Sequence, residues 1–164
     1  VQPEQWHVTV AFYGDVPDGR VDDLAARLAR AARRTAPLPL LLGGVGTFDS
    51  RRGPHVAWMG VAGAADDDAR RLQRLAAASR AAGRRAGLTR SDLRADRTYR
   101  PHLTLARARD AADLSSALTA LPPLPPLGWT ADALLLVRSD LGAGPAGAPT
   151  HRVVASLPFS ASAR

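Results

Sequence analysis

Apolar and polar positions alternate or recur in blocks that divide the chain into short strands and amphipathic helices. Trp6 to Tyr13 alternates as a strand does and is closed by Gly14-Asp15 and the turn cluster Pro17-Asp18-Gly19. From Arg20 to Arg34 the period changes to 3.6. Val21, Leu24, Leu28, Ala31 and Ala32 line one face, with Arg and Asp on the other, which predicts a helix. Its acids Asp22 and Asp23 come early and its bases Arg33 and Arg34 late, as the helix dipole favours. Pro37 prevents continuation. Leu38 to Val45 and His55 to Val61 read as two further strands, joined by a long loop from Gly46 to Pro54. A second helix is expected from about Ala65 to Ala86, with Leu72, Leu75, Ala76 and Ser79 as its buried stripe and Gly87 as its stop.

Thr89 to Thr98 is a polar connection that leads into another alternating run, Arg100-Pro101-His102-Leu103-Thr104-Leu105-Ala106-Arg107. Asp110 to Leu121 predicts a short third helix carrying Leu114, Leu118 and Leu121, and Pro122 to Pro126 a stiff link. Trp129 to Arg138 and His151 to Phe159 close the chain as a pair of strands around a Gly/Pro/Ala loop, Leu141 to Pro149. The order is β-α-β-β followed by α-β-α-β-β, which suggests an internal duplication.

Composition adds limits rather than a function. The 164 residues, 46% of them hydrophobic, suit one compact domain over 1–164 with room for two lobes. The absence of cysteine excludes disulfides and thiolate metal sites. No apolar run is long enough to span a bilayer and no signal peptide opens the chain, so the cytoplasm is the expected location. The net charge of +7 agrees with an RNA or phosphate ligand. It is discounted, however, because all 22 basic residues are arginine and Lys, Asn and Ile are absent, the mark of a GC-rich codon bias. The first residue is Val, so the start has been removed or was not included.

The chemistry lies in a repeated pattern. His102-Leu103-Thr104 has a counterpart in His7-Val8-Thr9, each in an apolar strand, and the two together use half of the four histidines. On a strand, His and Thr two residues apart share a face, about 6.6 Å from one another. Arg107 falls in the opposite parity, and a twist or bulge before it would be needed to aim it at the same face. Two imidazoles titrating near neutrality can act as acid and base. Threonine hydroxyls can hold phosphate oxygens or fix ring orientation, and an arginine fork can carry phosphate charge. No step in this scheme needs a metal or cofactor.

Ordinary roles account for most other candidates. A single His on a half-buried strand is more often structural, and only the repetition outweighs that for His7 and His102. His55 and His151 lack a Thr two residues on and read as structural or surface groups. Arg100 is equally compatible with the site and with solvent. Gly43-Gly44-Val45-Gly46 lacks the lysine of a phosphate loop and reads as a strand-end turn. Asp66-Asp67-Asp68 reads as a solvated helix N-terminus. Phe48 and Trp58 could stack a base, though core packing is the commoner use of such residues.

The two motifs resemble those of the 2H phosphoesterase superfamily, and most closely its RNA 2′,3′-cyclic phosphodiesterases, also called 2′-5′ RNA ligases. His7-Val8-Thr9-Val10-Ala11-Phe12-Tyr13-Gly14 is similar to that family's first motif, and Arg100 to Arg107 to its second. Gly44 to Phe48 and Pro54 to Gly60, with Trp58, resemble further family landmarks. The resemblance implies a bilobal α/β (α+β) fold: two mainly antiparallel sheets facing a central cleft, helices outside, pseudo-twofold duplication, and one motif from each lobe. It implies opening of a 2′,3′-cyclic phosphate on RNA or a nucleotide to a 2′-phosphomonoester, without cofactor or metal, by a monomer that uses no membrane. Carried over by residue, His7 is the proton donor, His102 the proton acceptor, and Thr9, Thr104 and Arg107 hold the phosphate. Family members usually begin with a strand and helix before the first motif, and these are expected to be missing from the chain as given. The alternatives are a related 2H phosphodiesterase or 2′-5′ ligase acting on other small cyclic nucleotides, and a non-catalytic nucleotide- or RNA-binding module.

Overall fold

The structure is a computed structural model that describes residues 5–50, 53–89, 93, 98–107, 114–122, 125, 127–144, 147 and 149–160. In chain order the elements are α1 (Asp18–Arg33), β1 (Leu38–Ser50), β2 (Gly53–Gly63), α2 (Asp66–Arg85), β3 (His102–Arg107), α3 (Leu114–Thr119), β4 (Leu127–Ala131), β5 (Ala133–Asp140) and β6 (Thr150–Pro158). Contacts divide the chain into two compact units. The first is Val1–Thr9, Pro39–Ala69 and Arg100–Trp129; the second is Val10–Leu38, Arg70–Tyr99 and Thr130–Arg164.

The first unit is built on the four-stranded sheet β3-β2-β1-β4. β2 is its centre, antiparallel to β1 on one side and to β3 on the other. Residues paired directly across neighbouring strands share a face, and the two faces differ sharply. Leu40, Ala57, Val61 and Leu103 lie on one face and are all buried. The other face carries Gly46, Phe48, Trp58, Gly60, His102 and Thr104. One side of the sheet therefore makes core, while the other carries the polar and aromatic groups alongside Val56, which is itself buried.

In the second unit, α1 packs on the β5–β6 hairpin, which forms its own two-stranded antiparallel sheet. The stripes read from the sequence are the buried ones: Leu24, Leu28 and Ala32 on α1, and Leu72, Leu75, Ala76 and Ser79 on α2. The ends of α2 are set locally. Asp68 reaches back to accept from the Ala65 N–H at 3.2 Å, a capping-box arrangement. At the other end Gly87 takes φ +81°, and the Leu88 N–H closes on the Gly83 carbonyl at 3.0 Å, as in a Schellman stop. Asp68 is thus buried and engaged rather than solvated.

Four expectations need correction. Gly46 to Pro54 is not a long loop: β1 runs on to Ser50 and β2 begins at Gly53, with Phe48 opposite Val56 and Ser50 opposite Gly53. Gly43-Gly44-Val45 is not a strand end but a bulge inside β1, where Gly44 takes φ +65°. The run from Trp129 to Arg138 is two strands. The Asp132 carbonyl accepts from the Phe159 N–H at 2.7 Å, so the chain changes sheets there. Trp6 to Tyr13 makes only one ladder contact, because its residues divide between the units after Thr9. The start of the third helix and most of Thr89 to Thr98 lie outside the described residues, α3 being described from Leu114. Among the described residues no helix is long and apolar enough to cross a membrane.

The second unit's core can be tested by truncation and by pH. Leu28, 2% exposed, has little room to relax, so Leu28→Ala is expected to lower unfolding free energy by about 2–5 kcal/mol in urea titration. The chain's two tyrosines, Tyr13 and Tyr99, are both held un-ionised by burial, with Arg80 opposing that effect at Tyr99. In the unfolded chain a phenol ionises near pH 10. Their stabilisation is therefore complete below about pH 10 and falls as pH rises beyond it, because the unfolded chain loses its protons first. With no lysine or cysteine to titrate nearby, urea midpoints should drop between about pH 9 and 11, and tyrosinate absorbance should appear only with unfolding. Tyrosinate in the folded chain at about pH 10.5 would contradict this.

Candidate active site

The segment 7–9 reaches the sheet through a single antiparallel bridge, Val8 to Leu103. Leu103 is buried and Val8 half-buried, so this pair faces the core side. Continuing the register one residue each way sets His7 opposite Thr104 and Thr9 opposite His102, both pairs on the opposite face. In that continued register the two His-x-Thr motifs would interleave head to tail about a local twofold axis through the Val8–Leu103 pair. Each imidazole would then stand beside the other motif's hydroxyl, with the two imidazoles on a diagonal whose Cβ atoms are about 7–8 Å apart. Both motifs fall in the first unit, where the bridge, formed before Thr9, keeps His7 and Thr9 with β3.

Arg107 joins this face by a register shift. Trp58 pairs with Thr104 but Ala57 pairs with Ala106, which leaves Leu105 as an extra residue. The bulge reverses the parity of the residues after it, so Arg107 stands opposite Val56 on the face that carries Trp58, Thr104 and His102. It is exposed there, as are His7 and Thr9, while His102 and Thr104 are half-buried.

Both imidazoles are oriented in the same way. His7 Nδ1 lies 2.7 Å from the Gln5 carbonyl and His102 Nδ1 2.7 Å from the Arg100 carbonyl, in each case two residues back. A carbonyl only accepts, so each Nδ1 carries the proton and Nε2 is the acceptor nitrogen of the neutral ring. Arg100 is held extended by the following Pro101, whose own carbonyl accepts from the Val61 N–H at 3.1 Å. The Arg-Pro-His order therefore aims the Arg100 carbonyl at the ring. The sequence showed the histidines but not these backbone acceptors, since any residue supplies a carbonyl.

Glycines shape the floor beside the histidines. A Cβ at Gly46 would lie 2.4 Å from Trp58 Cζ2, so the indole lies down across β1 only because that position has no side chain. Gly60 stands directly beside His102, and a Cβ there would meet the Gly43 carbonyl at 2.8 Å. Phe48 packs on Trp58 with ring centres 5.4 Å apart and meets His102 edge-on at 4.8 Å. The Trp58 Nε1 hydrogen is buried without a partner. His151 lies on β6 opposite Ser139, in the second unit. His55 is in β2, and Arg100 is exposed, contributing its carbonyl. Among the described residues no three His, Asp or Glu side chains gather as a metal site would need.

Two antiparallel sheets with helices, and two His-x-Thr segments paired on one sheet face, define the class of 2H phosphoesterase folds. The chain belongs to the 2′-5′ RNA ligase superfamily, whose family model matches residues 2–143. A Thermus thermophilus protein named RNA 2′,3′-cyclic phosphodiesterase is 34% identical over 86% of this chain and 67% of its own length. A Thermotoga maritima protein of the same name is 25% identical over 97% and 78%. A Geobacillus stearothermophilus protein of that name is 44% identical over 37% of this chain, a match spanning only 19% of its length. Among solved structures, one from Thermus thermophilus superposes with TM-score 0.70 at 31% identity, covering 97% of this chain and 80% of that one. E. coli LigT complexed with 3′-AMP gives TM-score 0.71 at 24% identity, covering 98% and 80%, a likeness of fold.

The shared orientation of the rings is directly measurable. Nitrogen-15 correlation spectra of the neutral imidazoles are expected to show His7 and His102 in the Nδ1–H form. The Nε2–H form at either would overturn the carbonyl assignments.

Proposed function

We propose that this chain opens 2′,3′-cyclic phosphates at RNA ends to 2′-phosphomonoesters by two-histidine acid–base catalysis without a metal ion. The observation that supports the reading is the Val8–Leu103 bridge, which brings the two His-x-Thr segments side by side in one unit. The relatives named RNA 2′,3′-cyclic phosphodiesterase supply the substrate class.

In this mechanism His102 is the base. Its Nε2 lone pair takes a proton from water as the water oxygen bonds to phosphorus. The bond from phosphorus to O3′ breaks, and His7, protonated on both nitrogens, gives its Nε2 proton to that oxygen. The 2′-ester survives as a phosphomonoester. Thr9 and Thr104 donate to the non-bridging oxygens, and the Arg107 fork balances charge that grows on them in the transition state. Acid and base catalysis are each worth about 10²–10⁴-fold.

The test is hydrolysis of an oligoribonucleotide ending in a 2′,3′-cyclic phosphate, with EDTA present and the product isomer identified. The native chain should give a 2′-phosphate and a bell-shaped pH–rate profile. His7→Ala and His102→Ala should each lower kcat by about 10²–10⁴-fold with folding unchanged. Arg107→Lys should recover little of what Arg107→Ala loses, because a point charge does not replace a planar fork. Loss of turnover in EDTA, or a single-histidine variant as fast as the native chain, would refute the mechanism. A cyclic end bound without turnover would point to a binding module instead.

A further inference from the structure

His102 is constrained from more than one side. The Arg100 carbonyl fixes which way the ring is flipped, because only Nδ1 can serve it. One hydrogen bond in the ring plane still allows the plane to rock about the line through that bond. Phe48 opposes that motion: its ring stands at 83° to the imidazole with centres 4.8 Å apart, an edge-to-face contact. Phe48 belongs to β1, two strands away from His102 in the sheet, so the contact is not one that neighbouring strands give automatically. It is built from several parts. Gly46 clears the floor so that the Trp58 indole can lie flat. The indole backs the Phe48 ring at 5.4 Å and 35°. Gly60 stands directly beside His102, and a side chain there would collide with the Gly43 carbonyl of the same strand that carries Phe48.

We infer that Phe48 is a positioning residue for His102, holding the imidazole plane so that Nε2 keeps its line toward the phosphate, with Trp58 over Gly46 as its backing. The inference deepens the reading given under Proposed function and rests on it for the catalytic consequence. Phe48 exchanges no proton in this scheme. It restricts the ring in free enzyme and complex alike, so its loss should appear in the chemical step and not in substrate affinity.

Two measurements are paired so that the two readings fail separately. The first needs no substrate. Nitrogen-15 relaxation and tautomer signals of the His102 ring, assigned with His102→Gln, are compared in the native chain, Phe48→Leu and Phe48→Tyr. Leu should give increased ring motion and a mixed tautomer population, and Tyr, which keeps the ring, should match the native chain. The second is steady-state hydrolysis of the cyclic-phosphate oligonucleotide. Phe48→Leu should lose about 10- to 100-fold in kcat, the scale of a misaligned catalytic group, with KM within about twofold, and Phe48→Tyr should restore most of it.

A ring as ordered in Phe48→Leu as in the native chain would overturn the inference, whatever the activity. So would a rise in KM at unchanged kcat, which would make Phe48 a substrate contact. If the native chain does not turn over the substrate, the proposed function fails while the ring measurement still decides the positioning role. Should Phe48→Leu not fold, Phe48→Met, which keeps apolar bulk without a flat ring, replaces it under the same two criteria.

Discussion

The pairing of Val8 with Leu103 is the contact on which the site depends. It is a small apolar contact, with Leu103 buried and Val8 half-buried in the first unit. Its register decides everything polar around it. Because side chains alternate along a strand, burying the central residue of each His-x-Thr motif forces the flanking His and Thr onto the other face. A slip of one residue would send the imidazoles into the core and the apolar residues to the surface. The hydrophobic cost of that slip, about 1.5–3 kcal/mol for the buried Leu103 and less for the half-buried Val8, enforces the alignment of groups that do not attract one another. The chemistry is polar, but its geometry is set by the residues between.

Around that pair, irregularities in the ladders place the rest. A perfectly regular β3 would have pointed Arg107 at the core face. The extra residue at Leu105 turns it round without moving His102 or Thr104. A second bulge at Gly44 interrupts β1 where that strand passes Gly60 and Val45 meets Met59, and the left-handed backbone there is one that glycine adopts without steric cost. The aromatic floor depends in turn on missing side chains at Gly46 and Gly60. All of these devices sit on strands, which hold side chains more narrowly than loops do.

Much of this was legible in the sequence, and the limits have physical causes. α1 and α2 were readable because long amphipathic periods leave many agreeing residues, and the buried Leu24, Leu28, Leu72 and Leu75 are the ones the period picks out. The repeated His-x-Thr pattern picked out the two segments that the bridge joins, and parity put Arg107 with the opposite set unless a twist or bulge intervened. What could not be read were backbone events. A bulge such as that at Leu105 has no side-chain signature when the residue is an ordinary leucine. The change of sheet falls at Asp132, a single acidic residue between two short stretches that alternation alone leaves joined as one strand. The partners of His7 and His102 are carbonyls, which every residue possesses. The Phe48–His102 contact joins residues 54 apart in sequence and two strands apart in the sheet, a distance that local pattern does not reach.

The local twofold axis has one further consequence for the chemistry. In an in-line displacement the attacking and leaving oxygens lie on opposite sides of phosphorus, so acid and base must approach from opposite directions. Two histidines side by side on one strand would serve the same side of the phosphate. In the proposed mechanism, interleaving the motifs head to tail would put the imidazoles at opposite corners of the quartet and leave the middle to the phosphate. The hydroxyls of Thr9 and Thr104 would then take the remaining corners, toward the non-bridging oxygens. Symmetry in itself gives each histidine the same surroundings and assigns neither role. The surroundings do differ outside the quartet: Phe48 of β1 packs edge-on against His102, while Arg107 stands farther along β3, beyond Thr104. The asymmetry at His102 is thus built by β1, outside the symmetric quartet.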